Sequence, residues 1–160
     1  MNDTVKFAYS RGNTLQFMQK WVVLPNPNFP NMSFNMGNNA NFVYQCLARG
    51  GWFRSGTSFA TSVLPTRHNT VLRIDVLKAL IEREMGAVVV IKEDGLPEIL
   101  QTGDVVIVER GTLKAAFMVE EDNGTNYYYS KDPNFNRNPA LPPADRYYCY
   151  SIPNTGNWVI

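Results

Sequence analysis

The side chains that most often serve as nucleophiles and bases are scarce in this chain, which contains one histidine and two cysteines. A cysteine nucleophile needs a base within hydrogen-bond distance, and histidine usually supplies it. Cys46 falls inside an amphipathic segment and Cys149 lies between two tyrosines, so we interpret both as core residues. His68 lies in the irregular stretch LPTRHNT, where a surface or helix-capping role is the more common one.

The sequence carries no pattern that is typical of a metal or cofactor site. Its histidine and cysteines do not have zinc-site spacing, and a single histidine argues against a histidine-based metal centre. The glycines form no phosphate-binding loop. We therefore expect no metal and no cofactor. A formal net charge of +1 gives no reason to expect nucleic acid or an anionic membrane as a partner.

Length and composition favour one globular domain. The chain has 160 residues, of which 44% are hydrophobic, so we expect residues 1–160 to share one core. No apolar run approaches the roughly 18 residues that span a bilayer. The N-terminal sequence MNDTVKFAYSRGN lacks a secretory apolar stretch, which predicts a cytoplasmic location. An effector or particle component exported without a signal would have the same N-terminus.

Three amphipathic segments predict helices in the first half of the chain. They cover residues 14–24, a stretch that starts at Asn38 or Asn39, and residues 74–85. Asn13 or Thr14 is the expected N-cap of the first helix, and Asn38 or Asn39 that of the second, because asparagine is a favoured capping residue. Gly50 follows the second segment and is expected to end that helix.

The hydrophobic period then changes to that of β-strands. Segments rich in β-branched and aromatic residues cover 87–91, 105–109, 115–121, 125–130 and 146–152. Asn123-Gly124 between two of them predicts a hairpin, since this pair readily adopts a type I′ turn. Residues 132–143 are interpreted as a loop. Helices followed by an antiparallel meander indicate an α+β fold.

The stretch WVVLPNPNFPNMSFNMGNNANFVYQCLARGGW, followed by Gly-Asp-Val at 103–105 and by YYYSKDPNFNRNP, resembles the bacterial putative amidase domain family. That family is related to the papain-like cysteine peptidases of the NlpC/P60 type. The resemblance implies a papain-like α+β fold, in which N-terminal helices pack on an antiparallel β-meander. It also implies a cysteine nucleophile at the start of a helix, assisted by two histidines on later strands.

The chain departs from the family pattern at all three catalytic positions. The family's Asp-Cys pair falls on Asn38-Asn39, its first histidine on Lys114 and its second on Tyr129, next to Ser130. An amide is not a comparable nucleophile, and Lys114 would serve as a base only if it were buried. A tyrosine, with an ordinary pKa of about 10, is a poor base near neutral pH. The resemblance therefore predicts a domain without cysteine-type catalysis.

We interpret the chain as an inactive amidase-like domain that binds a protein or peptide through the former active-site groove. The candidate binding residues are Asn38, Asn39, Lys114, Tyr129 and Ser130. Asn39 has a structural alternative as a helix N-cap, and the two roles are compatible. Two other functions stay open: an amide hydrolase with a rearranged site that uses Cys46 or His68, and a structural component of a bacterial or phage-derived assembly. The sequence does not fix the oligomeric state.

Overall fold

The computed structural model describes residues 4–22, 37–52, 73–93, 100–131 and 135–159. Its helices are α1 (Arg11–Trp21), α2 (Gly37–Arg49) and α3 (Ile74–Ala79), and α3 continues into a π-helical turn (Leu80–Glu84). Its strands are β1 (Thr4–Ala8), β2 (Val88–Lys92), β3 (Val105–Arg110), β4 (Leu113–Asp122), β5 (Thr125–Ser130), β6 (Phe135–Asn138), β7 (Arg146–Ser151) and β8 (Thr155–Val159). The α+β class is therefore confirmed. His68 lies outside the described residues.

Six of the strands form one antiparallel sheet in the order β2-β7-β3-β4-β5-β6. Strands β3 to β6 follow one another as a meander, and β7 inserts between β2 and β3, which the sequence did not predict. Strands β1 and β8 pair separately as a two-stranded ribbon. The predicted hairpin joins β4 to β5, where Asn123 and Gly124 have φ angles of 51° and 82°. These positive angles confirm the turn that the Asn-Gly pair predicts.

The helices cover one face of the six-stranded sheet, which we call the helix face. Helix α2 lies on β4 and is flanked by α1 and α3, so its residues from Asn39 to Leu47 are buried all round rather than along one stripe. Cys46 is fully buried within it, as predicted. The opposite face, which we call the loop face, is covered by irregular segments that contribute Leu100 and Leu141. Cys149 is buried on that face. None of the described helices is long and apolar enough to cross a membrane.

Two sequence predictions, the start of helix α1 and the loop at 132–143, were wrong. Helix α1 begins at Arg11, and its N-cap is Ser10, whose Oγ accepts a hydrogen bond from the Asn13 N–H at 3.2 Å. The first turn of α1 is polar. Because the apolar pattern starts only at Leu15, it predicted a start of the helix that was too late. The predicted loop 132–143 contains strand β6, in which Phe135 is the one strong β-former and two of the other three residues are asparagines.

A buried ion pair holds the start of α1 against the sheet. The Arg11 guanidinium donates to Asp104 Oδ1 at 2.9 Å, to the Thr102 carbonyl at 2.9 Å and to the Ile152 carbonyl at 2.6 Å. The Asp104 carboxylate also accepts the backbone N–H groups of Gln101 and Ile152, each at 2.9 Å. Asp104 therefore joins α1, the segment before β3 and the segment after β7.

We predict that Asp104→Ala lowers the free energy of unfolding by about 3 kcal/mol, because it leaves the Arg11 charge without its partner in a mostly buried position. Urea unfolding followed by circular dichroism measures this change. Asp122→Ala is the matched control, since it removes an exposed carboxylate that pairs with Arg137. The control should cost less than about 1 kcal/mol. Equal losses in both variants would contradict a special role for Asp104.

Candidate functional site

Asn39 lies in the first turn of α2, and its carboxamide points into the sheet. Nδ2 lies within hydrogen-bond distance of Ser130 Oγ (2.7 Å), the Lys131 carbonyl (2.9 Å) and the Ala116 carbonyl (3.2 Å). Oδ1 accepts the Ala116 N–H at 2.7 Å. The residue is 3% exposed. The carboxamide oxygen is therefore bonded to a main-chain N–H, and the carboxamide nitrogen is surrounded by two main-chain carbonyls and one hydroxyl.

The N-cap prediction for Asn39 was wrong. Helix α2 begins at Gly37, so Asn39 is the third helical residue, and Asn38 precedes it within the same turn. The Asn39 oxygen bonds to a strand rather than to an N–H group of its own helix. The side chain of Asn38 lies outside what the structure describes.

The carboxamide replaces a missing peptide unit between β4 and β5. The pairing of Met118 with Tyr129 is the last in the ladder towards this end, and continuing it by two residues would set Ala116 opposite Lys131. The Asn39 amide bridges these two residues instead. A carboxamide has the same donor and acceptor groups as a peptide bond, so it can complete the ladder. Ser130 Oγ adds a further bond by donating to the Ala116 carbonyl at 2.8 Å.

Of the five candidate residues, the structure brings Asn39 and Ser130 together. It also adds Ala116 and Lys131, which sequence reasoning missed. These two residues take part through main-chain groups, and a main-chain contact leaves no mark in the residue type. The ladder register is the signal that could have found them, and it requires the strand pairing to be known.

Lys114 lies two residues before Ala116, on the same face of β4. Its Nζ is 3.8 Å from Glu109 Oε2, and its side chain is 34% exposed. The burial that would be needed for a base is therefore absent. Glu109 Oε2 also accepts a weak bond from the Tyr148 hydroxyl at 3.4 Å. The Tyr148 ring in turn lies 4.6 Å from the Lys78 ammonium.

Tyr129 is buried on the helix face, but its hydroxyl bonds to Glu120 Oε1 at 2.5 Å and not to Asn39. Burial, and then the bond to the Glu120 carboxylate, raise the pKa of this tyrosine well above its ordinary value. Arg137 Nε also lies 3.3 Å from that carboxylate. Tyr129 therefore belongs to a polar cluster with Glu120 and Arg137.

Both cysteines are buried and are poorly placed to act as nucleophiles. Cys46 is fully buried, and burial raises the pKa of its thiol, which opposes formation of the thiolate. Cys149 is buried on the loop face, away from Asn39. Within the described ranges, no group of three or more histidine, cysteine, aspartate or glutamate residues could hold a metal ion.

The site lies where the first turn of α2 meets the antiparallel sheet at β4. The chain matches the model of the putative amidase domain family over residues 8–120, and it therefore belongs to that family. The match includes Asn39, Lys114 and Ala116 and ends before Tyr129 and Ser130. No curated protein matches the chain, and no solved structure does.

We predict that Asn39→Ala lowers the free energy of unfolding by about 2–4 kcal/mol. The substitution removes the partner of the buried Ala116 N–H and one partner of the part-buried Lys131 carbonyl, and a buried polar group that loses its bond costs about 1–3 kcal/mol. Chemical denaturation measures the change. Asn13→Ala is the control, because Asn13 is exposed, and it should change stability by no more than about 0.5 kcal/mol.

The nearly isosteric Asn39→Asp variant tests whether the amide donor is required. A carboxylate there would face two carbonyl oxygens, so its folded-state pKa should rise above the ordinary value of about 3.9. The variant should therefore be destabilised at neutral pH and recover stability as the pH falls through the raised pKa. Wild-type stability at neutral pH would contradict the proposed ladder.

Proposed function

We propose that this domain is a catalytically inactive member of the amidase family and that it binds a peptide or another protein at the surface of the former active site. The observation that carries the proposal is the carboxamide of Asn39, which is fixed by hydrogen bonds to residues 116, 130 and 131. The position at which the family resemblance expects a thiol nucleophile is occupied by a structural amide. The cytoplasmic location expected from the sequence is part of this proposal.

The loss of catalysis follows from the chemistry of the groups near Asn39. Amide hydrolysis at such a site needs an activated nucleophile and a group that passes a proton to the leaving amine. Of the two strand residues bonded to Asn39, Ala116 has only a methyl side chain, and the Ser130 hydroxyl donates to the Ala116 carbonyl with no histidine beside it among the described residues. Lys114 is turned to the Glu109 carboxylate, and the Tyr129 hydroxyl is engaged by Glu120. None of these groups can replace a cysteine and its histidine.

We further propose that the fold is related to the papain-like hydrolases of the NlpC/P60 type. The support is the position of Asn39 in the first turn of a central helix that packs on β4 of an antiparallel sheet. In the resemblance described above, the nucleophile has this same place at a helix start. On this proposal, Asn39, Lys114 and Tyr129 keep the places of the catalytic residues in the fold but cannot carry out the reaction.

Binding is proposed through the polar surface that surrounds Lys114. Lys114 and Glu109 are each partly exposed, and the Tyr148 hydroxyl meets the same carboxylate oxygen as the Lys114 ammonium. At 3.8 Å the ion pair is longer than a hydrogen bond, so a ligand carboxylate or peptide carbonyl can compete for the ammonium donors. Such groups suit an acidic or main-chain feature of a peptide.

We predict no hydrolysis above background when the full chain is incubated with a panel of acyl amides and short peptides, with released amine measured by a fluorogenic reagent. The physical reason is the absence of a nucleophile and base around Asn39. Turnover that disappears in Cys46→Ala or His68→Ala would overturn the proposal and establish a rearranged hydrolase. Turnover that survives both substitutions would point to a contaminating enzyme, which repeated purification would remove.

We predict that the Lys114→Glu variant loses a partner that wild-type protein retains in an affinity pull-down from host extract, because the substitution places two carboxylates side by side. Quantitative mass spectrometry of the bound fraction measures the loss. Arg110→Glu is the matched control, since it makes the same charge change at the same end of the sheet, and Arg110 is exposed and points to the loop face by strand alternation. A partner retained by both variants would place the interface elsewhere.

A further inference from the structure

Strand β2 is an apolar edge strand that is open to solvent. Its residues Val88, Val89, Val90 and Ile91 are 67%, 37%, 50% and 51% exposed. The strand pairs with β7 on one side, and its other side faces no strand among the described residues. Four consecutive apolar residues at a sheet edge are a template for pairing with another strand.

Both faces of β2 are uncovered. Val89 and Ile91 pair with Tyr150 and Tyr148, which belong to the helix-face core, whereas Val90 pairs with Cys149 on the loop face. All of these β2 residues are exposed. Among the described residues, the layers that cover the centre of the sheet therefore stop short of β2, and the strand exposes apolar side chains on both faces.

The opposite edge of the same sheet is protected. Strand β6 has four residues, and its pairing with β5 is irregular between Tyr128 and Ser130. It also carries Arg137, whose backbone has a φ of 50° and whose charge is paired with Asp122. Short length, irregular pairing and a charged residue are the devices by which proteins prevent edge pairing. Residues 88–91 have no charge, proline or irregular pairing.

We propose that β2 is a self-association surface, at which it pairs antiparallel with β2 of a second copy of this chain about a two-fold axis at Val90. In this register Val90 faces its own copy, Val89 faces Ile91 twice, and Val88 faces the aliphatic stem of Lys92 twice. All five residues of the strand are paired, and the apolar contacts form on both faces. The two six-stranded sheets then become one continuous sheet.

A second copy suits this edge because the pairing sets apolar residues opposite one another and brings no like charges together. A two-fold interface uses the same patch on both copies and closes, so no β2 edge remains to bind further copies. The chain has a formal net charge of +1, so two copies meet with little repulsion. The proposed register sets no like charges opposite one another, and Glu93 lies outside it, 3.4 Å from Arg146 Nε. This inference does not depend on the proposed function.

We predict that the wild-type chain shows a concentration-dependent monomer–dimer equilibrium in sedimentation velocity, and that Val90→Lys is monomeric over the same range. The substitution sets two ammonium groups opposite each other at the axis, where like charges are unfavourable. Val90 is half exposed, so the variant should fold, and circular dichroism checks this. Leu113→Lys is the matched control, because it changes another exposed apolar residue, 73% accessible and away from β2, and it should dimerise like wild type.

A cysteine placed on the axis tests the register itself. Val90→Cys should form a disulfide-linked dimer on mild oxidation, because cross-strand Cβ atoms at directly opposite positions lie about 4.5–5.5 Å apart, whereas Leu113→Cys should not. The native Cys46 and Cys149 are buried and do not compete. A wild-type chain that stays monomeric at every concentration would overturn the inference. So would a dimer that Val90→Lys leaves intact, since that result assigns association to a different surface.

Discussion

The contact between the Asn39 carboxamide and the end of the β4–β5 ladder is the interaction on which the central packing depends. Helix α2 is the most buried of the described helices, and its first turn meets the sheet where β5 stops pairing with β4. The Ala116 N–H bonds there to the Asn39 oxygen, and the Ala116 and Lys131 carbonyls accept from both Asn39 and Ser130. Asparagine supplies one acceptor and two donors in the geometry of a peptide group. A cysteine, with one weakly bonding sulfur, could not complete the same ladder.

Under the proposed function, the structural role of Asn39 and the loss of catalysis both follow from the same carboxamide. A catalytic site keeps polar groups poised for a substrate, and that arrangement usually costs stability. Here the comparable groups have partners within the chain: Asn39 with the ladder, Tyr129 with Glu120 and Lys114 with Glu109. The first two contacts are buried, whereas the third is open to solvent. Exchange with an external ligand is therefore easiest at Lys114, which is why the proposed recognition centres on that residue.

The sequence predicted the features of this fold that are encoded locally. The helices, five of the six strands of the large sheet and the Asn123-Gly124 turn follow from apolar spacing and turn chemistry, which short segments carry by themselves. The ribbon of β1 and β8 was missed because it pairs residues from opposite ends of the chain. The position of β7 was missed because β7 also pairs with strands that are distant in sequence. At the site, Asn39 was found through the family resemblance. Its partner Ala116 was not, because an alanine that acts through its peptide group looks like any other alanine.

The two edges of the large sheet differ in their ability to bind another strand, whereas the polar groups at its centre are already bonded within the chain. A polar centre with internal partners offers little binding energy, since every new contact must displace an existing one. An apolar edge such as β2 has no internal partner to displace among the described residues, and its burial is favourable at both the side chains and the main chain. Arg137 and irregular pairing block the edge at β6, whereas residues 88–91 of β2 carry neither a charge nor an irregularity. Among the described residues, the strongest driving force for association therefore lies at the sheet edge rather than at the polar groups around Asn39 and Lys114.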